Sequence, residues 1–283
     1  MSGSEAPPSF VHSKGFSITE SPIPDWKFGQ AVDTTPEGRE WLKGLESGWQ
    51  TIDASQTDSG TLYKFMISGI APRPVAFVSS VSEDGVENLG LFSWFNQVSH
   101  NPPTISISCT NHATRTKDTI RNIKATKGFT VNIISDPFVH NANACSIDAP
   151  PEISEWPLSG LTKEPSTYVK APRVKESAFS MECELYHAID IVEPNILKAT
   201  NTLVIGLVKF IHIRKDVIDP ARNIVDPGKL KPILRLGSVI YAQLGNGYLI
   251  PRPSWTGSVD EIKERLGDEA VSGKGKGASS EGK

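Results

Sequence analysis

An all-β, antiparallel domain is what the middle of this 283-residue sequence predicts. Two β-rich runs, Val75–Val81 and Val86–Asn96, flank Asp84-Gly85. Glycine adopts positive φ without steric cost, so this dipeptide suits a tight hairpin. A third run, Thr104–Cys109, follows Asn101-Pro102-Pro103. Further strands are expected at Phe129–Ser135, Ala178–Val192, Thr202–Lys215 and Val239–Leu244, all enriched in residues that fit a pleated, half-buried surface.

The long run Thr202–Lys215 shows the alternation expected of a strand. Ile205, Leu207, Lys209, Ile211 and Ile213 share one face, and Val204, Gly206, Val208, Phe210 and His212 share the other. Both faces are mostly apolar, as for a strand between a core and a covering surface. The same period sets Glu182 and Cys183 on opposite faces, so only one of them is expected to be buried. Nothing near Cys183 would lower its pKa, and it reads as a packed thiol rather than a nucleophile.

Helices are expected at the periphery. Thr35-Pro36 suits a helix start, since Thr caps and Pro fits the first helical position. Trp41, Leu42 and Leu45 would then pack on the strand domain, and Trp41 and Trp49 argue for an ordered segment. A second helix is expected over Thr116–Thr126, with Thr116 as N-cap, Asp118 in the first turn and an end near Gly128. Asp136–Arg173 contains six prolines and is too long for a simple connection, so it reads as a functional excursion or lid. The chain thus divides into an N-terminal extension packing on the barrel (1–60), a central domain (61–245) and a C-terminal extension (246–283), Gly/Ser/Lys-rich and disordered from about residue 270.

Composition excludes several classes. A formal charge of −3 gives no general attraction to nucleic acid or an anionic membrane. No apolar run approaches the roughly 20 residues that span a bilayer. Met1–Ser9 lacks the apolar stretch of a secretory signal, and Cys109, Cys145 and Cys183 show no paired spacing, so a reducing cytoplasmic compartment is expected. The six histidines are scattered, without a metal-binding pattern, and neither a nucleophile elbow nor a Walker loop occurs. The glycines at 273, 275 and 277 follow no strand and form no dinucleotide fingerprint.

Four motifs stand in order along residues 67–108: Pro72-Arg73-Pro74 leading into a strand, the Asp84-Gly85 hairpin, Phe92-Ser93-Trp94-Phe95-Asn96, and Asn101-Pro102-Pro103 before another strand. In this the chain closely resembles the flavin reductase-like family. The resemblance covers about residues 60–245 and extends to Lys117-Asp118-Thr119, Met181–Leu185 and Arg235-Leu236-Gly237 with Tyr241. It implies a split β-barrel of Greek-key type with peripheral helices, a homodimer, and FMN as cofactor, with NAD(P)H as a possible reductant bound without a Rossmann domain. The implied activity is an FMN-dependent oxidoreductase acting on flavin or another small acceptor. A non-catalytic FMN-binding or storage protein is the alternative, and a pyridoxamine-phosphate-oxidase-like enzyme fits the motifs less well.

A flavin mononucleotide asks for a phosphate site, a slot for its ring and directed hydrogen bonds. Arg115 and Lys117 offer charge, Thr114, Thr116 and Thr119 offer hydroxyls, and the helix start at Asp118 offers unpaired N–H groups; ordinary helix capping is the competing reading. The resemblance implies ring contacts by Ser93, Trp94, Phe95 and Asn96. Alternation sets Ser93 with Phe95 and Trp94 with Asn96, so both pairs reach the ring only at a bulge or sheet edge. Pro74 and Ser108 belong to the implied cofactor set. Arg73, held between two prolines, has three possible destinations: the phosphate, the ring, or a surface carboxylate. The excursion, with Asn143, Ser146, Glu155 and Gly160-Leu161, also resembles a pattern of the same family, which implies Asn143 and Glu155 as substrate-side candidates; no catalytic side chain is singled out.

Overall fold

The structure, a computed structural model, describes residues 7–11, 15–111 and 115–272. Seven strands form one sheet: β1 Ala76–Val81, β2 Glu87–Phe92, β3 Phe95–His100, β4 Pro103–Thr110, β5 Gly128–Ile133, β6 Phe179–Glu193 and β7 Lys198–Ile213. Their order in space is β2-β1-β5-β6-β7-β4-β3, and every neighbouring pair is antiparallel. Gly85 turns the β1–β2 hairpin with φ of 87°, as its sequence position requires.

The expected single run Val86–Asn96 is in fact two strands. β2 pairs with β1 on one edge of the sheet, and β3 pairs with β4 on the other. Only Ser93 and Trp94 separate them in sequence. Since successive Cα atoms lie about 3.8 Å apart, the two edges must come together at this point. The Ser108 N–H donates to the Trp94 carbonyl at 2.8 Å across the junction.

Strand alternation divides the core in two. Ala76 and Val78 of β1 join Ile107, Val131 and Val204 in one cluster, completed by Ile120 and Ile123 of a helix at Asp118–Thr126. Val75 and Phe77 point the other way, into a cluster with Phe138, Ala142, Cys145 and Trp156. In β7 the face of Thr202, Val204, Gly206 and Val208 is buried, while the opposite face is only half-buried over this stretch. Gly206 is required there, because an added Cβ would lie 2.6 Å from the Phe129 ring.

The excursion is packed rather than open. Its helices, Val139–Ala144 and Trp156–Ser159, supply Ala142 and Trp156 to the second core. Apolar content at Phe138, Cys145 and Trp156 therefore corrects the lid reading: these side chains are buried against the sheet. The expectation that only one of Glu182 and Cys183 is buried is also corrected, since both are 0% exposed. Glu182 can be buried because the loop 167–169 folds over it. Its carboxylate accepts the N–H groups of Thr167 (2.7 Å), Tyr168 (2.6 Å) and Val169 (3.1 Å), and lies 2.6 Å from His212 Nε2.

Two helices flank the site. The first, α1 (Ser59–Gly69), carries no strong sequence signal and was not expected. The second, α2 (Asp118–Thr126), starts later than expected: Lys117 is the N-cap and no side chain caps the helix, so Thr116 does not have that role. It ends at Lys127 in the left-handed region, with φ of 64°, one residue before Gly128.

Among the described residues, 17–58 and 246–272 make a second compact unit. Within it, Ile18–Thr19 pairs in parallel with Gly247–Tyr248. The helix expected after Thr35 is present at Pro36–Leu42, with the Thr35 hydroxyl accepting the Gly38 N–H at 3.0 Å. Trp41 and Trp49, expected to be packed, are instead 81% and 88% exposed. A 12-residue helix, Trp255–Leu266, is capped by Ser254. No helix among the described residues is long and apolar enough to cross a membrane. The Gly/Ser/Lys-rich segment from Gly273 lies outside the described residues.

Candidate functional site

A cleft opens beside the junction of the two sheet edges. Leu91, Phe92, Ser93 and Trp94 line it along the connection from β2 to β3, and Ser108 and Thr110 line it from β4. Because this stretch is the link between edges, Ser93 and Trp94 both reach the cleft, which strict alternation within one strand would forbid. Tyr63 and Ile67 of α1 form another wall. A short antiparallel pair, Ile233–Arg235 with Tyr241–Gln243, contributes Arg235 and Tyr241.

Three cations face this space, and their commitments differ. Arg73 is 7% exposed, with its backbone bonded in both directions to Arg235 (3.0 and 2.9 Å). Its guanidinium donates to the carbonyls of Ile67 and Ile70 at the end of α1, to Leu236 O at 2.8 Å and to Ser93 Oγ at 3.4 Å. A positive charge at a helix C-terminus is stabilising, so Arg73 fastens α1 to the sheet. Its partners are carbonyls and a hydroxyl, with no surface carboxylate among them.

Lys117 is different. It lines the cleft, and its ammonium makes no hydrogen bond or ion pair among the described residues. It stands at the N-terminus of α2, where the first N–H groups have no partner within the helix. Arg115 is already engaged, by Asp118 (3.4 Å), Asp148 (3.1 Å) and the Ala149 carbonyl (3.1 Å). Asp118 is held between Arg115 and Arg121. Arg235 lies 4.3 Å over the Tyr241 ring and donates to Ser238 O at 2.8 Å.

Several expected contacts lie elsewhere. Thr119 is 2% exposed and turned inward, its hydroxyl donating to Asn88 Oδ1 at 2.8 Å. Phe95 packs on the first core, and the exposed Asn96 accepts its neighbour's N–H. Both follow the Ser93–Trp94 link into β3, where the strand turns away from the cleft. Pro74 is exposed and does not line it. Thr114 lies outside the described residues. Glu155 is 5% exposed and accepts from Asn88 Nδ2 (2.8 Å) and the Leu89 N–H (3.0 Å) beneath β2, so it is neither solvated nor in the cleft. Burial raises its pKa, and these donors oppose the rise. Asn143 does not line the cleft but bonds two residues that do: the Tyr241 hydroxyl donates to its side chain at 2.8 Å, and the Ser146 N–H donates to its carbonyl at 2.9 Å.

Among the described residues the lining contains no Asp, Glu or His. The three cysteines are free and buried, and burial pushes Cys145 up to about 12 and raises Cys109 and Cys183 as well, so none is a ready nucleophile. No metal-binding cluster occurs among the described residues. Tyr63 and Ile67 were missed from sequence, and nothing in their local pattern marks them. Arg235 and Tyr241 sit in a motif that had been noted, but with no role attached.

The fold is thus a seven-stranded antiparallel sheet whose two edge strands, β2 and β3, follow one another in sequence, with a cleft lined by cations and hydroxyls beside their link. Residues 68–229 match the flavin reductase like domain, and the chain belongs to this family. An uncharacterized protein of Aquifex aeolicus is 36% identical over 189 residues, 66% of this chain and 92% of that protein. Nitrilotriacetate monooxygenase component B from Bacillus cereus shares 34% identity and a TM-score of 0.69, over 72% of this chain and 99% of that one. The 2-nitrobenzoate 2-nitroreductase NbaA of Pseudomonas fluorescens shares 26% identity and a TM-score of 0.65, over 73% and 98%.

Proposed function

We propose that this protein is an FMN-dependent oxidoreductase of split-barrel form that takes electrons from NAD(P)H and passes them to flavin or another small acceptor. The observation that carries the reading is Lys117: an ammonium unpaired among the described residues, at a helix N-terminus with no side-chain cap, facing a cleft that Ser93, Trp94 and Ser108 also line. Lys117 and the first N–H groups of α2 suit a phosphate. The hydroxyls of Ser93 and Ser108 suit the polar edge of the ring, and Trp94 suits its face. Arg115 is left out of the phosphate site, since its charge is matched by two carboxylates.

FMN, when bound, supplies the electron-accepting ring, and the protein supplies position and electrostatics. The described lining residues include no carboxylate or imidazole, and no side-chain acid or base is assigned. The relatives named as a monooxygenase component and a nitroreductase support redox work on a small molecule. Three free, buried thiols support a reducing, cytoplasmic setting.

The purified protein is expected to be yellow and to release FMN, not FAD, on denaturation. Anaerobic addition of NADH or NADPH should bleach its visible absorbance with turnover. A flavin that stays unbleached with both would instead favour a storage protein, and finding FAD, or no flavin at saturating FMN, would overturn the cofactor assignment.

A homodimer belongs to the same reading. The far ends of β6 and β7 form a hairpin arm with Tyr186, Ile189, Ile191 and Val192 each about half exposed and Leu197 82% exposed. Exposed apolar surface of this kind suits a second copy of the chain. Light scattering should report a dimer, and Ile189→Lys should shift it toward monomer. A wild-type monomer with full flavin affinity would refute the assembly.

A further inference from the structure

The cleft has a second cationic wall, and its chemistry differs from that at Lys117. Arg235, Ser238, Tyr241 and Tyr63 all line the cleft and all lie outside residues 68–229, the segment that matches the family. We propose that Arg235 anchors the carboxylate of a planar aromatic second substrate, held beside Tyr241 and Trp94. The inference rests on the flavin reading of the same cleft.

Arg235 is oriented without being used up. One terminal nitrogen donates to Ser238 O at 2.8 Å, and the guanidinium lies 4.3 Å over the Tyr241 ring, which fixes its plane. Tyr241 is fixed in turn by its hydrogen bond to Asn143 at 2.8 Å. A guanidinium has five N–H donors in a rigid fork, so donors remain for a planar, two-oxygen acceptor.

Charge decides between a carboxylate and a phosphate here. The neighbouring cation, Arg73, has its donors committed to three carbonyls and Ser93. One uncommitted positive charge is left on this wall, which matches a monoanion. The Lys117 wall adds the N-terminus of a nine-residue helix to its ammonium and is the better host for a dianion.

Aromatic surface gives the ligand its shape. Tyr63 is 53% and Trp94 37% exposed at the cleft, their ring centroids 6.4 Å apart and tilted by 58°. Large aromatic faces left open beside an oriented guanidinium complement a flat, acidic molecule. Tyr63 is brought here by α1, which Arg73 clamps, so the same arginine that is unavailable for binding builds the opposing wall.

Benzoate is the probe, with benzamide as its uncharged counterpart. Both are titrated into FMN-loaded wild type, Arg235→Gln and Arg235→Lys, following the visible spectrum of the flavin. Arg235→Gln should weaken benzoate by about tenfold or more, the loss of one charge-assisted contact. Benzamide should be unaffected, FMN affinity should stay within about twofold, and Arg235→Lys should recover part of the benzoate binding. Equal benzoate affinity in wild type and Arg235→Gln overturns the proposal, as does an FMN loss as large as the benzoate loss. If the protein holds no flavin, the reading of the cofactor fails on its own. The benzoate titration is then run on the flavin-free protein by tryptophan fluorescence, and the same comparison decides whether Arg235 binds a carboxylate.

Discussion

Glu182→Gln should destabilise the protein by about 3 kcal/mol at pH 7, enough to move a urea midpoint well outside error. Glu182 is completely buried, and its two oxygens are fully used. Oε1 accepts from Thr167 and faces His212, and Oε2 accepts from Tyr168 and Val169. A glutamine has one oxygen and one NH2 in place of two acceptors. In its better orientation the NH2 faces His212 and leaves the Thr167 N–H opposite another donor. In the worse one, two backbone N–H groups lose their partner. Each unpaired buried group costs about 1–3 kcal/mol, and the lost charge weakens the bonds that remain.

The pH dependence follows from the same geometry. Burial alone would raise the Glu182 pKa, but the N–H groups of Thr167, Tyr168 and Val169, together with His212, outweigh it and hold the carboxyl below its usual range. The unfolded chain titrates near the ordinary glutamate value of about 4.3. The stabilisation is therefore complete above that pH and is lost as pH falls through the lower, folded value. Wild type and Glu182→Gln should differ most near neutrality and converge on acidification. A constant gap between them down to pH 3 would sink this account.

Lys117→Ala should weaken FMN about ten- to hundredfold, from the loss of a charge-assisted contact worth roughly 1.5–3 kcal/mol. Riboflavin, which lacks the phosphate, should lose almost nothing. The Lys117 ammonium makes no hydrogen bond or ion pair among the described residues, so its removal should leave the fold intact, and the two ligands isolate its role. Were Lys117 only a solvated residue beside a helix start, the two ligands would change equally. Arg115→Ala provides the contrast: it breaks pairs with Asp118 and Asp148, and its cost should appear in stability more than in FMN affinity.

Much of the strand framework was legible because it is local. Asp84-Gly85 demands a hairpin wherever it lies, and Gly85 adopts the positive φ this requires. The runs at 129–135, 178–192 and 202–215 became the central strands, since alternating apolar residues bury one face of any sheet that forms. Thr35-Pro36 likewise marked its helix. The break between β2 and β3 was not legible. Val86–Asn96 reads as one β-prone run, and only pairing with β1 on one side and β4 on the other divides it at Ser93-Trp94.

By itself the sequence determined the family, through motifs at fixed spacing along 67–119, and with it the kind of cleft to look for. It also determined which residue types could meet an anion. Which of them do so was decided only in three dimensions, because a charge is available to a ligand only after the fold has settled its other partners. Arg73, Arg115 and Lys117 look equally eligible as letters. Packing gives Arg73 three carbonyls and a serine, gives Arg115 two carboxylates, and leaves Lys117 at the open helix end. Glu155 and Thr119 show the converse: both are in family-like motifs, yet each is drawn beneath β2 to satisfy Asn88, a partner far away in sequence. Arg235 and Tyr63 reach the same cleft from outside the matched segment for a similar reason, since the backbone bridge between Arg73 and Arg235 and the Arg73 clamp on α1, rather than neighbouring sequence, hold them there.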